Sequence, residues 1–459
     1  MRRRNFLFLA AAPLLPLWGC AQGAREPALV QARLVASAAS TQLAPADYPA
    51  TEVWAYNGAS PGPALHVRQG DRLRVLVQNQ LPESTTVHWH GVRLPNAMDG
   101  VPYITQRPIE PQASFTYEFV LPDAGTFFYH PHQRGYEQMG RGLAGALIVE
   151  EHAPPQVDRD VLWVLGDFRL KADASISGSF GNFMDLSHAG RIGNTVTING
   201  RVPGTFPVRA GERIRLRLVN AATARMFALD FRGHRPWVIA LDGQPVEPHR
   251  PEGDAVLLGP AMRADLILDM SAAPGSRHAV HDGFYRRGAY RLVELEYSEQ
   301  APLRTQAPEP PQLPKNPLAE PELRGAERHE ILFTGGMMGN MRGLGRGMAW
   351  AVNGMANGCG DGGQPFEPLL VLRKGRSVVL RLVNDTAWHH PIHLHGHSFR
   401  VISRDGNPTR HREWLDTVLL NPRESAEIAF VADNPGDWMF HCHVLDHQAS
   451  GMMSCIRVT

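Results

Sequence analysis

A short pattern occurs three times in this 459-residue chain, and that repetition constrains its fold more than any other feature. Val67-Arg68-Gln69-Gly70-Asp71-Arg72-Leu73-Arg74-Val75-Leu76-Val77-Gln78-Asn79 recurs as Val208-Arg209-Ala210-Gly211-Glu212-Arg213-Ile214-Arg215-Leu216-Arg217-Leu218-Val219-Asn220. It recurs again as Leu372-Arg373-Lys374-Gly375-Arg376-Ser377-Val378-Val379-Leu380-Arg381-Leu382-Val383-Asn384. An Asn-Gly pair lies upstream each time, at Asn57-Gly58, Asn199-Gly200 and Asn353-Gly354. Asn-Gly favours a tight hairpin turn, and alternating apolar positions after a Gly-centred turn mark a strand with one buried face. The period is well above the ~20–50 residues of a solenoid, so the repeats mark whole duplicated domains. Strands punctuated by turns within each unit predict an all-β chain of β-sandwiches. The units fall at 35–152, 157–299 and 325–459. A connector at 300–324 carries Pro302, Pro308, Pro310, Pro311, Pro314, Pro317 and Pro321 and reads as an extended surface segment. The 46 basic and 45 acidic side chains leave a net charge of +1, too weak a field to argue for nucleic acid or an anionic membrane as partner.

The N-terminus reads as a targeting segment. Arg2-Arg3-Arg4 precedes an apolar run from Phe6 to Trp18 that is too short to span a bilayer but suits a signal peptide over residues 1–23. Arg3-Arg4-Asn5-Phe6-Leu7 resembles a twin-arginine export signal, and a general secretory signal is the plainer reading. Ala21-Gln22-Gly23 offers a small-x-small cleavage site, whereas Leu17-Trp18-Gly19-Cys20 resembles a lipoprotein signal that would acylate Cys20. Bulky Trp18 favours cleavage and a soluble periplasmic protein. Export permits disulfides, and Cys359 with Cys455 form one pair or remain two free thiols.

Four motifs carry the chemistry: His88-Trp89-His90-Gly91, His130-Pro131-His132, His390-Pro391-Ile392-His393-Leu394-His395-Gly396-His397, and His441-Cys442-His443 followed by His447 and Met452. Residues two apart on a strand share a face, so each His-x-His pair can present two imidazoles to one metal cluster. One such pair arises readily by chance. Four pairs, confined to the first and third units, do not. Structural zinc would take four Cys/His ligands, and here there are too many His for the one available Cys. One thiolate, two imidazoles and a thioether build a blue-copper site, and His390, Cys442, His447 and Met452 supply that set, with Met452 as weak axial ligand. In His441-Cys442-His443 the Cys points one way and both His the other, so the tripeptide can wire that copper to a second cluster.

These motifs, in this order on a threefold-repeated chain, resemble the multicopper oxidases: laccases, bacterial copper-efflux oxidases and their relatives. The resemblance covers essentially the whole mature chain. It implies three cupredoxin-like Greek-key domains and four copper ions. The type 1 ion would sit on His390, Cys442, His447 and Met452, and the type 2 ion on His88 and His393. The type 3 pair would take His90, His130 and His443 on one ion, and His132, His395 and His441 on the other. His397 follows the family pattern without being a ligand. The implied activity is one-electron oxidation of a donor coupled to four-electron reduction of O2 to water. Asp99, in Met98-Asp99-Gly100, matches the family's acidic residue beside the type 2 copper and is the candidate for proton delivery; a turn Asp before Gly is the plainer reading.

The chain departs from the family in places. A second relay carboxylate common after the last type 1 His is here Gln448, which leaves Asp446 or water for that task. Met337, Met338, Met341, Met348 and Met355 form a Gly-rich cluster whose thioethers suit Cu(I), or which packs on the domain surface. Thr386, Trp388 and Ala449 stand where the best-known efflux oxidases have Asp, Met and Asp, so a phenol or aromatic amine remains the alternative donor to Cu(I). Scaffold proteins of this fold lack the ligands that are complete here. A copper-storage protein would not need the His-Cys-His link, and copper nitrite reductases normally use two domains per chain.

Overall fold

The computed structural model describes residues 26–337, 339, 347–357 and 367–459. It is 46% strand and 6% helix, an all-β chain. Each repeat supplies the central strand of a sheet: Arg72–Asn79, Arg213–Asn220 and Ser377–Asn384. Each pairs in parallel with the first strand of its unit, Leu29–Thr41, Arg159–Phe168 or Glu327–Gly335. On its other edge each pairs antiparallel with Ser114–Val120, Arg263–Asp269 or Ser425–Val431. The first of these strands begins at Leu29, ahead of the expected start at residue 35, because Leu29 registers against Arg72.

The repeated asparagines explain why the pattern is kept. Asn57, Asn199 and Asn353 take φ of 54°, 51° and 49°, with Gly58, Gly200 and Gly354 also positive, the conformation of a type I′ turn. Each turn Asn accepts a hydrogen bond from the neighbouring first strand: Val35 N to Asn57 Oδ1 at 2.7 Å, Val164 N to Asn199 at 2.8 Å, and Leu332 N to Asn353 at 2.7 Å. The asparagines that close the repeat, Asn79, Asn220 and Asn384, are buried. Each donates to two carbonyls further along the chain: Glu83 and Ile109, Arg225 and Leu258, or Trp388 and Asn421. Buried polar groups must be satisfied, so each Asn pins the loops that follow it.

A second sheet completes each sandwich. In the first unit its order is Gly62–Arg68, Gly145–Glu150, Gly125–His130, His88–His90. In the third it is Leu370–Leu372, Met453–Val458, Gly436–Cys442, His390–Leu394, Thr417–Leu420. These two sheets carry the histidine motifs. One apolar core runs from Trp89 and Tyr117 in the first unit to Phe440, Cys442 and Trp438 in the third, while the second unit has its own core around Leu216, Phe227 and Leu266. The first and third sandwiches are therefore packed together, with the motifs at their seam. The connector has neither helix nor strand. Asn316 fastens it across two units, accepting from Ala124 N at 2.9 Å and donating to Gln244 Oε1 at 2.8 Å. Among the described residues no helix is long and apolar enough to cross a membrane.

Candidate metal centre

Eight histidines, His88, His90, His130, His132, His393, His395, His441 and His443, form one cage, none more than 2% exposed. Two stacked pairs bridge the seam, His88 on His395 with centroids 3.9 Å apart and His90 on His393 at 3.7 Å. Strand register explains the convergence. His88 lies opposite His130 in the first unit, and His393 opposite His441 in the third.

Hydrogen bonds assign the protons on these rings. Nδ1–H of His88 donates to Asp99 O at 2.8 Å, of His393 to Asp416 O at 2.8 Å, of His441 to Cys442 O at 2.8 Å, and of His130 to Pro131 O at 3.2 Å. His395 Nδ1–H donates to Asp99 Oδ2 at 2.9 Å. Their Nε2 atoms then carry bare lone pairs directed inward. Nε2 of His395 and His441 lie 3.1 Å apart, and those of His130 and His443 lie 3.3 Å apart. Among the described residues, Nε2 of His88, His132 and His393, and Nδ1 of His90 and His443, are buried without a partner. Burial holds the imidazoles of His90, His130, His132, His395, His441 and His443 well below the usual range, so they are neutral, as metal ligands must be. A buried cluster of lone pairs facing one another costs energy unless cations lie between them, and this donor set suits copper.

A second group lies beyond the strand. His390 Nδ1 and His447 Nδ1 are 3.1 Å apart, and 3.4 and 3.7 Å from Cys442 Sγ. Their outer nitrogens are engaged: His390 Nε2–H donates to Thr386 Oγ1 at 2.8 Å and His447 Nε2–H to the His188 carbonyl at 2.6 Å. Met452 is fully buried and held beside both, its N donating to His447 O and its carbonyl accepting from Cys442 N. Burial raises the Cys442 thiol above its ordinary pKa and lowers His447 to about 3. A bound cation would displace the thiol proton and take the thiolate as ligand. Trp350 walls the group, its ring 4.3 Å from His447 and 5.0 Å from His390. Gly336, at φ 74°, is needed there because a Cβ would collide with the Trp350 ring. His397 makes no contact with either set of inward nitrogens; its Nδ1–H donates to His395 O at 3.2 Å.

Three carboxylates border the groups. Asp99 is buried against His88 and His395, where the sequence motif placed an acid. Asp416 has no motif to announce it, yet its Oδ1 accepts from His90 Nε2 at 3.0 Å. Burial, which alone would raise the Asp416 carboxyl, is outweighed by the Arg263 guanidinium, and the group is held below the usual carboxylate range. Burial, followed by the Asp416 charge, pushes nearby Asp242 up to about 7. Asp446 faces the second unit, its Oδ2 accepting from Arg191 N at 2.8 Å. Among the described contacts it makes none to the cage. Gln448, by contrast, places its amide 3.5 Å from His132 Nδ1.

The methionine segment is partly described. Met337 N donates to Ser187 O at 2.8 Å, and its carbonyl accepts from Trp388 Nε1 at 3.1 Å, which sets it beside the second unit's helix Phe183–Ser187. Met348 is half-buried and Met355 is exposed, as is Met184 on that helix. Met338 and Met341 lie outside the described residues, as do Cys20, the N-terminal signal and Cys359 of the expected disulfide. Cys455 is buried, and burial pushes its thiol up to about 12.

Three multicopper oxidase family models match the chain, at residues 37–154, 161–290 and 345–459. Multicopper oxidase MmcO of Mycobacterium tuberculosis is 32% identical over 448 residues, covering 88% of this chain and 82% of that protein. The crystal structure of a multicopper oxidase from Pseudomonas thermotolerans superposes with a TM-score of 0.84 at 36% identity, covering 94% of this chain and 100% of that one. A multicopper oxidase from Campylobacter jejuni, described as a metallo-oxidase, matches with a TM-score of 0.78 at 27% identity, covering 98% of this chain and 94% of that one.

Proposed function

The chain belongs to the multicopper oxidase family, a copper enzyme that couples oxidation of a reducing substrate to reduction of O2, and we propose that its donor is cuprous ion. Copper supplies one-electron acceptance at the Cys442 group and the combined four-electron reduction of O2 to water in the imidazole cage. We assign the type 1 ion to His390, Cys442, His447 and Met452, and the type 2 ion to His88 and His393. The type 3 ions are assigned to His90, His130 and His443, and to His132, His395 and His441. The close Nε2 pairs His395–His441 and His130–His443 support the last two sets. His441 and His443 flank Cys442 in the chain and turn the opposite way, which gives a covalent link between the two sites. Asp99, bonded to a ligand of each kind, is placed to hold and hand on protons to the cage.

The observation that carries the donor assignment is the cover over His447. Its outer nitrogen is occupied by the His188 carbonyl, Met337 and Trp388 are tied to the end of the helix Phe183–Ser187 through Ser187 O, and Met184 is exposed on that helix. His447 is fully buried, which argues against direct docking of a bulky phenol on its ring, whereas a soft cation can dock on exposed thioethers such as Met184 and Met355. The metallo-oxidase description of the Campylobacter jejuni relative agrees. A second reading has its own observation. A cavity of about 550 Å³ lined by Tyr285, Tyr290, Arg225 and Ile192 is large enough for an aromatic donor, and Ile192 adjoins Arg191, which bonds Asp446 next to His447. Oxygen uptake with Cu(I) and with a phenol, in wild type and in Met184→Leu/Met355→Leu, separates the two. A several-fold loss with Cu(I) alone supports the cuprous reading, and an unchanged Cu(I) rate removes the thioethers from it. The basic and apolar N-terminus supports export to the periplasm by the twin-arginine route, and copper homeostasis is the process this donor would serve.

A further inference from the structure

The second domain contributes no imidazole, yet it reaches the floor of the cage. Arg263, fully buried on strand Arg263–Asp269, clamps Asp416 with both arms, Nη1 to Oδ1 at 2.8 Å and Nη2 to Oδ2 at 2.5 Å. Asp242 locks the pair from behind. Its Oδ1 accepts from Arg263 N at 2.9 Å, and its Oδ2 accepts from Asp416 N at 3.2 Å and Thr417 N at 3.0 Å. Asp416 passes the restraint on, through Oδ1 to His90 Nε2 and through its backbone carbonyl to His393 Nδ1. Gly91, at φ 80°, completes the fit, since a Cβ there would run into Arg263 Nη2 and Asp416 Oδ2.

This chain of contacts has a chemical consequence. A carboxylate clamped by a guanidinium is an acceptor only, so His90 must keep its proton on Nε2 and turn Nδ1 inward. That is the reverse of His88, His130, His393, His395 and His441, and His90 Nδ1 is one of the buried atoms without a partner. We propose that Asp242 and Arg263 are positioning residues of the second domain, which act through Asp416 to fix His90 and His393 and so set the copper affinity of the cage without affecting the Cys442 site. The proposal rests on the assignment of the cage as a copper site. It gives the domain without ligands a direct part in holding the ions.

The test uses the copper-loaded full-length chain and its Asp242→Asn and Asp416→Asn variants, with Glu151→Gln as control. Glu151 forms an equally buried ion pair with Arg215 between the first two domains and touches no imidazole. Each protein is titrated with a copper chelator while total copper, the blue absorption and the type 2 to type 1 resonance ratio are followed. Outer-sphere changes of this kind cost roughly 10–100-fold in metal affinity. Both Asp variants should therefore release cage copper at about 10–100-fold lower chelator concentration while remaining blue, and Glu151→Gln should release it as wild type does. Three results would overturn the proposal: cage copper held as in wild type, blue and cage copper lost together, or an equal loss in the control. If neither Asp variant folds, a structure of the copper-loaded wild type decides, with His90 bound through Nδ1 in support and through Nε2 against. A wild type with neither blue colour nor cage copper would instead defeat the underlying assignment.

Discussion

Asp99 has two partners at once, its carbonyl accepting from His88 and its carboxylate from His395. An amide in its place could keep the first bond but could not carry a proton. Asp99→Asn should slow oxygen uptake by about 100-fold or more with the blue absorption unchanged, and unaltered uptake would remove its proposed role. At this scale the convergence of the eight cage histidines was legible, because His-x-His on a strand announces its own geometry. Asp99 was legible from its Met-Asp-Gly context. Asp416, Arg263 and Asp242 were not: each is a single residue in an ordinary strand or turn, and their meeting depends on the second and third domains coming together, which no local spacing encodes. Trp350 was hidden for a similar reason. It lies within the Gly-rich methionine cluster, where no local pattern marks an indole wall, whereas Gly336 is there to admit the indole.

The segment His188–Ile192 is the element that most alters the picture of electron entry. It lies over the short helix Leu445–Ala449, bonding His447 through the His188 carbonyl and Asp446 through Arg191 N. Gly190 permits the approach. It has φ 80°, and a Cβ there would lie 2.5 Å from Val444 Cγ1 and 2.7 Å from Ala224 Cβ. Gly190→Ala should therefore lift the segment from the helix. The expected outcome is a shifted type 1 potential and blue band, read by redox titration, with the cage resonances unchanged. The left-handed backbone alone should cost about 1–3 kcal/mol of stability, read by denaturant unfolding. An unshifted potential would mean that the His188 carbonyl does not tune the site. Sequence gave notice of the strands because period two and Asn-Gly turns are local signals. A one-turn helix and a coil held by backbone carbonyls leave no such pattern, so this cover was invisible until the domains were assembled.

Across the whole molecule the cage ties the first sandwich to the third through His88–His395 and His90–His393, while the second keeps its own core. Copper that binds only the assembled cage must stabilise it by mass action, by about 4 kcal/mol when free metal exceeds its dissociation constant 1,000-fold. Removing copper with reductant and chelator should lower the melting temperature of the first and third domains together, measured by calorimetry, and leave the second domain's transition least changed. The threefold architecture was evident from the repeat, and the confinement of the His-x-His motifs to the outer domains from their positions, whereas the reach of the middle domain was not. The proposed function requires a thiolate-bound copper at Cys442 to feed an O2-reducing cage through its histidine neighbours. The most direct measurement compares oxygen uptake and the blue thiolate-to-copper absorption in copper-loaded wild type and Cys442→Ser. The expected outcome is an intensely blue wild type that consumes O2 and a colourless variant that does not. A fully copper-loaded wild type without the blue band, or undiminished O2 uptake in Cys442→Ser, would contradict it.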